Sequence, residues 1–323
     1  MIVIQTNFIK MFPVMKKFFI KQGVCTGILF AILATVIWSW NFIIARGLHD
    51  AIPPVSLAFY RWLVAAIVLA PIALKKSIRE YDVIKKNFKY IIITAFLGVT
   101  VFNTLIYLAG KTTEAINLSL IAISSPIFIV IFSLIVFNEK ISLKKITGII
   151  LTITGILILL TRGKISVLLN ISFAQGDLWM LIAAMIFAVY SILVKKRPPA
   201  LSRTTFLFST FTIGLFLLIP FYILDLVSHP FPSFNLEITV AILYIGIFAS
   251  VAAFFLWNRS IEIIGPTNAG LIYYTLPLFS TLWAIIFLNE TAKALHFISM
   301  ILILSGIIIA GDRDKKLTKK LTD

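Results

Sequence analysis

The sequence predicts an all-α polytopic membrane bundle of about ten transmembrane helices, and three observations carry that reading. Hydrophobic residues make up 60% of the 323 and charged ones only 13%, with a mean hydropathy of +1.04, a balance that polar surface could not cover in water. Apolar runs of roughly 17 to 25 residues recur along the whole chain, each long enough to cross the hydrocarbon core as a helix. The runs are continuous rather than alternating, which favours helices over a barrel because lipid leaves every backbone group to be bonded within its own segment.

Taken in order, the expected spans are Val24 to Ala45, Val55 to Leu74, Tyr90 to Ala109, Ala115 to Phe137 and Ile146 to Leu160, then Leu178 to Val194, Thr204 to Leu224, Ile238 to Trp257, Ala269 to Leu288 and Leu295 to Ala310. The connections are short, so neighbouring spans run antiparallel and no soluble domain fits between them. The N-terminal basic stretch precedes a run too long for a signal-peptide core, and that run is expected to stay as the first span. Met15 offers an alternative start to Met1.

The net charge of +16 is topology information. With a cytoplasmic N-terminus, 23 of the 29 Lys and Arg fall on the inner side, five fall in outer loops and Arg61 lies within a span. Both termini are therefore expected in the cytoplasm of a cell whose inner membrane holds the chain, and nucleic acid is not an expected partner. The lone Cys25 and three scattered histidines give no disulfide, no metal spacing and no expected cofactor.

An internal repeat is the most informative feature. At an offset of 149, Gly27 falls on Gly176, Ala34 on Ala183, Arg46 on Lys195 and Pro71 on Pro220. At 151, Asn117 falls on Asn268, Pro126 on Pro277, Asn138 on Asn289, Glu139 on Glu290 and Gly155 on Gly306. The chain thus divides into a segment 1–23, a five-helix unit 24–161, a second unit 176–311 and a basic tail 312–323. Five is odd, so the second unit enters from the opposite side, the inverted arrangement of many secondary transporters with a site near the midplane.

With the duplicated unit, "VIWSWNFIIAR", "LAFYRW", "SSPIFIVIFSLIVFNEK" and "TLPLFSTLWAIIFLNET", the chain resembles the drug/metabolite transporter superfamily and, within it, the ten-helix EamA-type permeases. The resemblance spans essentially the whole chain. It implies a basket-like bundle with a central cavity and, as cargo, small metabolites such as amino acids. Small multidrug members of that superfamily carry a glutamate in span one where this chain reads "ILATVIWSW", so proton antiport by that route is not expected.

Several residues inside the spans are chemically informative. Asn103 and Tyr107 are four apart and share a helix face. Tyr107 corresponds to Asn258 and Asn41 to Tyr190, so polar positions recur in both halves, and these are the first choice for solute binding. Arg61, whose repeat partner is Thr210, either turns inward toward a carboxylate or snorkels to the interface. Pro126 and Pro277 are expected mid-span, as gating bends or fixed packing kinks. Glu139 and Glu290 are expected at membrane boundaries, first in a structural role, bonding the start of a following helix or a cation, and second as a gate contact. Glu114 is the acidic residue nearest a span interior. Trp38, Trp40, Trp257, Tyr273 and Tyr274 read first as interfacial belts or packing and second as walls of a cavity.

The expected function is a secondary permease for a small polar metabolite, an amino acid or related compound, moving outward. Uptake is the variant reading. An intramembrane enzyme or a channel is the reading of another class, although no reactive constellation is recognisable by spacing.

Overall fold

The computed structural model describes residues 13–48, 51–113, 118, 121–139, 141–161, 163–164, 166, 169, 174–229, 234–287 and 294–311. Glu114, Asn117, Asn289 and Glu290 lie outside the described residues. Among those described, every regular element is helical: α1 (Pro13–Gly47), α2 (Pro54–Arg79), α3 (Tyr81–Lys86), α4 (Phe88–Ala95), a π-helical turn π1 (Phe96–Val101), α5 (Phe102–Thr112), α6 (Ser124–Phe137), α7 (Leu143–Thr161), α8 (Gln175–Lys195), α9 (Arg203–Ser228), α10 (Leu236–Gly246), π2 (Ile247–Ala252), α11 (Ala253–Tyr273), α12 (Leu276–Phe287) and α13 (Ala294–Ala310).

Local chemistry explains the boundaries. α2 opens on Pro53 and Pro54, whose rings preset φ where no N–H is needed. The Asn235 side chain caps α10 by accepting from the Ile238 amide at 2.8 Å, and Ser202 caps α9. Asn138, at φ 50°, ends α6 in the left-handed conformation. Gly265, at φ 81°, breaks α11 just before Pro266, a backbone turn that a side chain would strain.

Seven helical runs among the described residues are long and apolar enough to cross a membrane, and Ser124–Phe137 and Ala294–Ala310 are shorter apolar helices. Ten separate spans were expected. Within the run Leu236–Tyr273 the non-helical Gly265 separates two helices, and this break lies between the eighth expected span and the ninth.

The proline expectation needs correction. Pro126 is the third residue of α6 and Pro277 the second of α12, first-turn positions where a missing N–H costs no helical bond. The chain breaks just before them, at Ile123 and at Tyr274–Thr275. These breaks are 151 positions apart, and so are π1 and π2.

Packing follows the same correspondence. α1 lies against α11 and α12, while α8 lies against α5 and α6; α2 packs along α9, and α7 along α13. Where α1 meets α8, Trp38 touches Phe187 with ring centroids 5.6 Å apart; where α2 meets α9, Trp62 touches Phe211 at 4.8 Å. Each pair is related by the 149 offset. Between α7 and α13 the backbones nearly touch, because a Cβ on Gly148 would lie 2.4 Å from the Ala310 nitrogen and one on Gly306 2.6 Å from the Gly148 carbonyl oxygen. Small residues serve this purpose in lipid, where association depends on close packing rather than on hydrophobic transfer. Large apolar side chains such as Ile72, Ile135, Phe216, Leu224 and Ile308 point outward instead.

Candidate functional site

The polar centre is built on α1, α2, π1–α5, α8 and π2–α11. Arg61 on α2 is 1% exposed, so the snorkelling alternative is overturned: the side chain runs into protein, not to an interface. Its Nε donates to Ser250 Oγ at 2.7 Å, Nη1 to Asn41 Oδ1 at 3.1 Å and Tyr107 Oη at 2.9 Å, and Nη2 to the Ala249 carbonyl at 3.0 Å. The guanidinium carbon sits 5.3 Å from the Trp62 ring centroid, within cation–π range. Among the described residues no carboxylate pairs with Arg61.

The π turn supplies two of these acceptors. Ala249 and Ser250 lie in π2, whose wide turn directs the Ala249 carbonyl to two side chains, Arg61 and the Trp38 Nε1–H at 2.9 Å. The Ser250 hydroxyl donates in turn to the Ile245 carbonyl at 2.9 Å. Irregular helical turns of this kind are concentrated at functional sites. Sequence reasoning missed Ala249 and Ser250, because one acts through its backbone and a serine in an apolar run carries no signal of its own.

In the second half the same two residue types bond each other directly. Tyr190 Oη lies 3.1 Å from Asn258 Oδ1 and 3.0 Å from Asn258 Nδ2. The structure thus brings Asn41, Arg61 and Tyr107 together in one network and Tyr190 with Asn258 in another. Asn103 is also buried, one turn before Tyr107, and its Nδ2 has no hydrogen-bond partner among the described residues.

Aromatic rings fill the space between the networks. Trp38 contacts Phe187, Phe254, Trp257 and Tyr273 at centroid distances of 5.4 to 6.1 Å, and the Trp257 indole N–H donates to Ser191 Oγ at 3.2 Å. The interfacial-belt reading is therefore wrong for Trp38, Trp257, Tyr273 and Tyr274, all of which are buried. Trp40 is half-buried and meets Trp283 at 6.0 Å.

A narrow cleft of about 10 Å³, room for one water molecule, lies toward one end of the bundle, lined by Val194, Arg197, Arg203, Leu207, Asn258 and Glu262 among others. At its mouth Glu262 accepts from Arg197 at 2.8 Å, Arg259 at 3.1 Å and Arg203, so three cations surround one carboxylate. The Lys195 ammonium lies 3.2 Å from the Glu262 carbonyl. At this end too, Glu139 Oε2 accepts from the Thr267 hydroxyl at 2.7 Å, beside the Gly265 break. Glu80 Oε2 accepts from the Ser202 amide at 2.9 Å in the first turn of α9. At the opposite end Asp225 Oδ2 accepts from the Ser56 amide at 3.1 Å and its hydroxyl at 2.6 Å in the first turn of α2. Each of α2 and α9 therefore carries a carboxylate over the other's N-terminus, where the helix dipole favours it.

An uncharacterized transporter of Archaeoglobus fulgidus is 27% identical over 279 residues, 86% of this chain and 94% of the relative. Uncharacterized transporter YyaM of Bacillus subtilis is 28% identical over 278 residues, covering 84% and 88%. Protein PecM of Dickeya dadantii is 23% identical over 286 residues, covering 88% and 90%. A solved crystal structure shares the fold with a TM-score of 0.71 at 20% identity, over 93% of this chain and 99% of that one. The model of the EamA-like transporter family matches residues 25–161 and again residues 174–311, and on that double match the chain belongs to the EamA-like transporter family.

Proposed function

We propose that this chain is a secondary permease of the inner membrane that moves a small polar metabolite, an amino acid or related compound, outward by alternating access. Ten spans form two inverted five-helix repeats with both termini in the cytoplasm, and the solute binds between them at Asn41, Arg61, Asn103, Tyr107, Tyr190 and Asn258. Facilitated exchange and coupling to an ion through Glu114 or another group both fit this reading. Pro126 and Pro277, at the head of α6 and α12, mark the joints that move.

One observation supports this reading above the others. The features able to hold a polar solute occur twice, at the repeat offsets: π1 with π2, Asn41 with Tyr190, Tyr107 with Asn258. A bundle stabilised by packing alone has no use for polar pairs at its centre, since each buried polar group costs free energy unless satisfied.

Counterflow in proteoliposomes tests it. A panel of amino acids and acidic, basic and aromatic metabolites is expected to include at least one giving saturable exchange. That exchange should fall at least tenfold in Asn103→Ala and Tyr107→Ala while thermal unfolding stays cooperative. Saturable flux unchanged in both variants would remove these residues from the site, and no saturable flux for any solute in folded protein would contradict the permease reading.

A further inference from the structure

We infer that the solute is bound through a carboxylate by Arg61, and that Asn41 and Tyr107 hold the guanidinium in the solute's absence. The inference rests on the permease reading and names its substrate class.

Four observations carry it. The first is charge. Arg61 is almost fully buried, and Asn41, Tyr107, Ser250, the Ala249 carbonyl and the Trp62 ring are all neutral. A buried cation at membrane depth is costly and normally faces a counter-ion or a pathway; among the described residues no counter-ion is supplied, so an anionic ligand would complete the site.

The second is an internal control. The other half reaches the same local structure without a cation: Tyr190 bonds Asn258 directly, and Thr210 stands at the position equivalent to Arg61. The scaffold therefore does not need a guanidinium to join a phenol to an amide. Arg61 is an addition to one half, and its cost calls for a function.

The third is the sign of the unsatisfied groups nearby. Trp62 Nε1 and Asn103 Nδ2 are buried N–H donors without partners among the described residues. Trp62 stacks on the guanidinium itself, and Asn103 lies one turn from Tyr107, which accepts from it. Spare donors on the residues that flank this network suit a ligand rich in acceptors, as a carboxylate is.

The fourth is the approach. The cleft that reaches Asn258 is lined by Arg197 and Arg203, and three arginines share the single Glu262. Its mouth carries a net positive charge, which concentrates anions. Asn258 and the Arg61 acceptor Ala249 lie on the same helical run nine residues apart, about 13 Å along the axis. The guanidinium presents N–H donors in a planar fork that matches one carboxylate, whereas a phosphate dianion would leave a charge uncompensated.

Tryptophan fluorescence of the purified full-length chain tests the assignment, since Trp62 and Trp38 adjoin the Arg61 network. The titrants share one branched alkyl body: leucine and 4-methylvalerate carry a carboxylate, while leucinamide and 3-methylbutylamine do not; inorganic phosphate is the competing anion. The expected result is a saturable change with leucine or 4-methylvalerate and none with the other three. Arg61→Gln should weaken carboxylate binding at least ~30-fold, the range for removing one member of a buried charge pair, and Arg61→Lys, which keeps the charge but not the fork, should weaken it less. Thermal unfolding of each variant verifies that it is folded. Equal binding of amine and carboxylate, preference for phosphate, unchanged affinity in Arg61→Gln, or no saturable response to either carboxylate overturns the inference. If Arg61→Gln is unfolded, the Lys variant decides: undiminished carboxylate affinity there overturns the role of the fork. Carboxylate binding without counterflow would instead break the permease reading, and counterflow of a solute lacking a carboxylate would break the assignment alone.

Discussion

At the centre of the bundle the two halves solve one problem differently. In the first, a guanidinium stands between Asn41 and Tyr107; in the second, Tyr190 and Asn258 meet at 3.0 to 3.1 Å with nothing between them. The halves share the scaffold, the π turn and the residue types, so the difference isolates what the arginine adds: a charge, a fork of donors and a need for an anion. A second contrast lies in π1 and π2. Gly98 occupies the place that Ala249 fills in the other half, and a Cβ on Gly98 would lie 2.3 Å from the Tyr190 ring. The phenol of one half packs onto the bare backbone of the other.

That contrast gives the largest expected effect. Gly98→Ala should destabilise the protein by about 2–3 kcal/mol, because the ring has to move in a packed core, whereas Ala249→Gly should cost about 1 kcal/mol. Comparison of the two thermal unfolding midpoints checks this, and equal shifts would show that Tyr190 is not held where it lies. Next in size, Asn258→Leu should cost about 1–3 kcal/mol by leaving the Tyr190 hydroxyl buried without a partner. The double variant with Tyr190→Phe should recover part of that loss, and strict additivity would show the pair to be uncoupled.

The two ends differ as well, and the smaller effects lie there. Asp225 and Glu80 each cap the other half's helix, yet among the described residues only the Glu80 end adds a cluster of three arginines on one carboxylate, Glu262. Asp225→Asn and Glu80→Gln should each cost about 1 kcal/mol or less. Burial pushes the Glu80 carboxyl up, but the Ser202 amide, the Thr205 and Ser202 hydroxyls and Lys76 outweigh it and hold the group below the usual carboxylate range. The charged form is therefore favoured by folding. Its contribution is present above the ordinary carboxylate pKa and is lost as pH falls through the lowered folded value. The midpoint difference between parent and Glu80→Gln should shrink accordingly between pH 6 and pH 3; a constant difference would separate the cap from the carboxylate charge.

Much of this was legible in the sequence, for identifiable reasons. The spans follow from apolar length, and the pairs Asn41 with Tyr190 and Tyr107 with Asn258 follow from offsets that polar identities fix. The π turns were not legible, because widening a helix by one residue leaves no mark in an apolar run. Ala249 acts through its carbonyl, which any residue carries. Trp38 and Trp257 read as interfacial belts or packing by type, and tertiary packing places them against one another. The cluster at Glu262 joins residues 65 and 59 positions apart through the turn between α8 and α9, a proximity only the fold creates. Arg61 was visible as an anomaly, and its direction was decided by the acceptors on π2.

Alternating access, as proposed, requires the halves to exchange conformations around this centre. Leu207, which lines the cleft, and Ala58, its equivalent at the 149 offset, are both buried, and with Cys25 replaced by serine each can carry the sole cysteine as Leu207→Cys or Ala58→Cys. Labelling by a membrane-impermeant maleimide from each side, with and without 4-methylvalerate, is the most direct measurement. The expected result is that the two positions are reached from opposite sides and that the carboxylate moves their labelling rates in opposite directions. Rates that move together, or access to both from one side, would contradict alternating access.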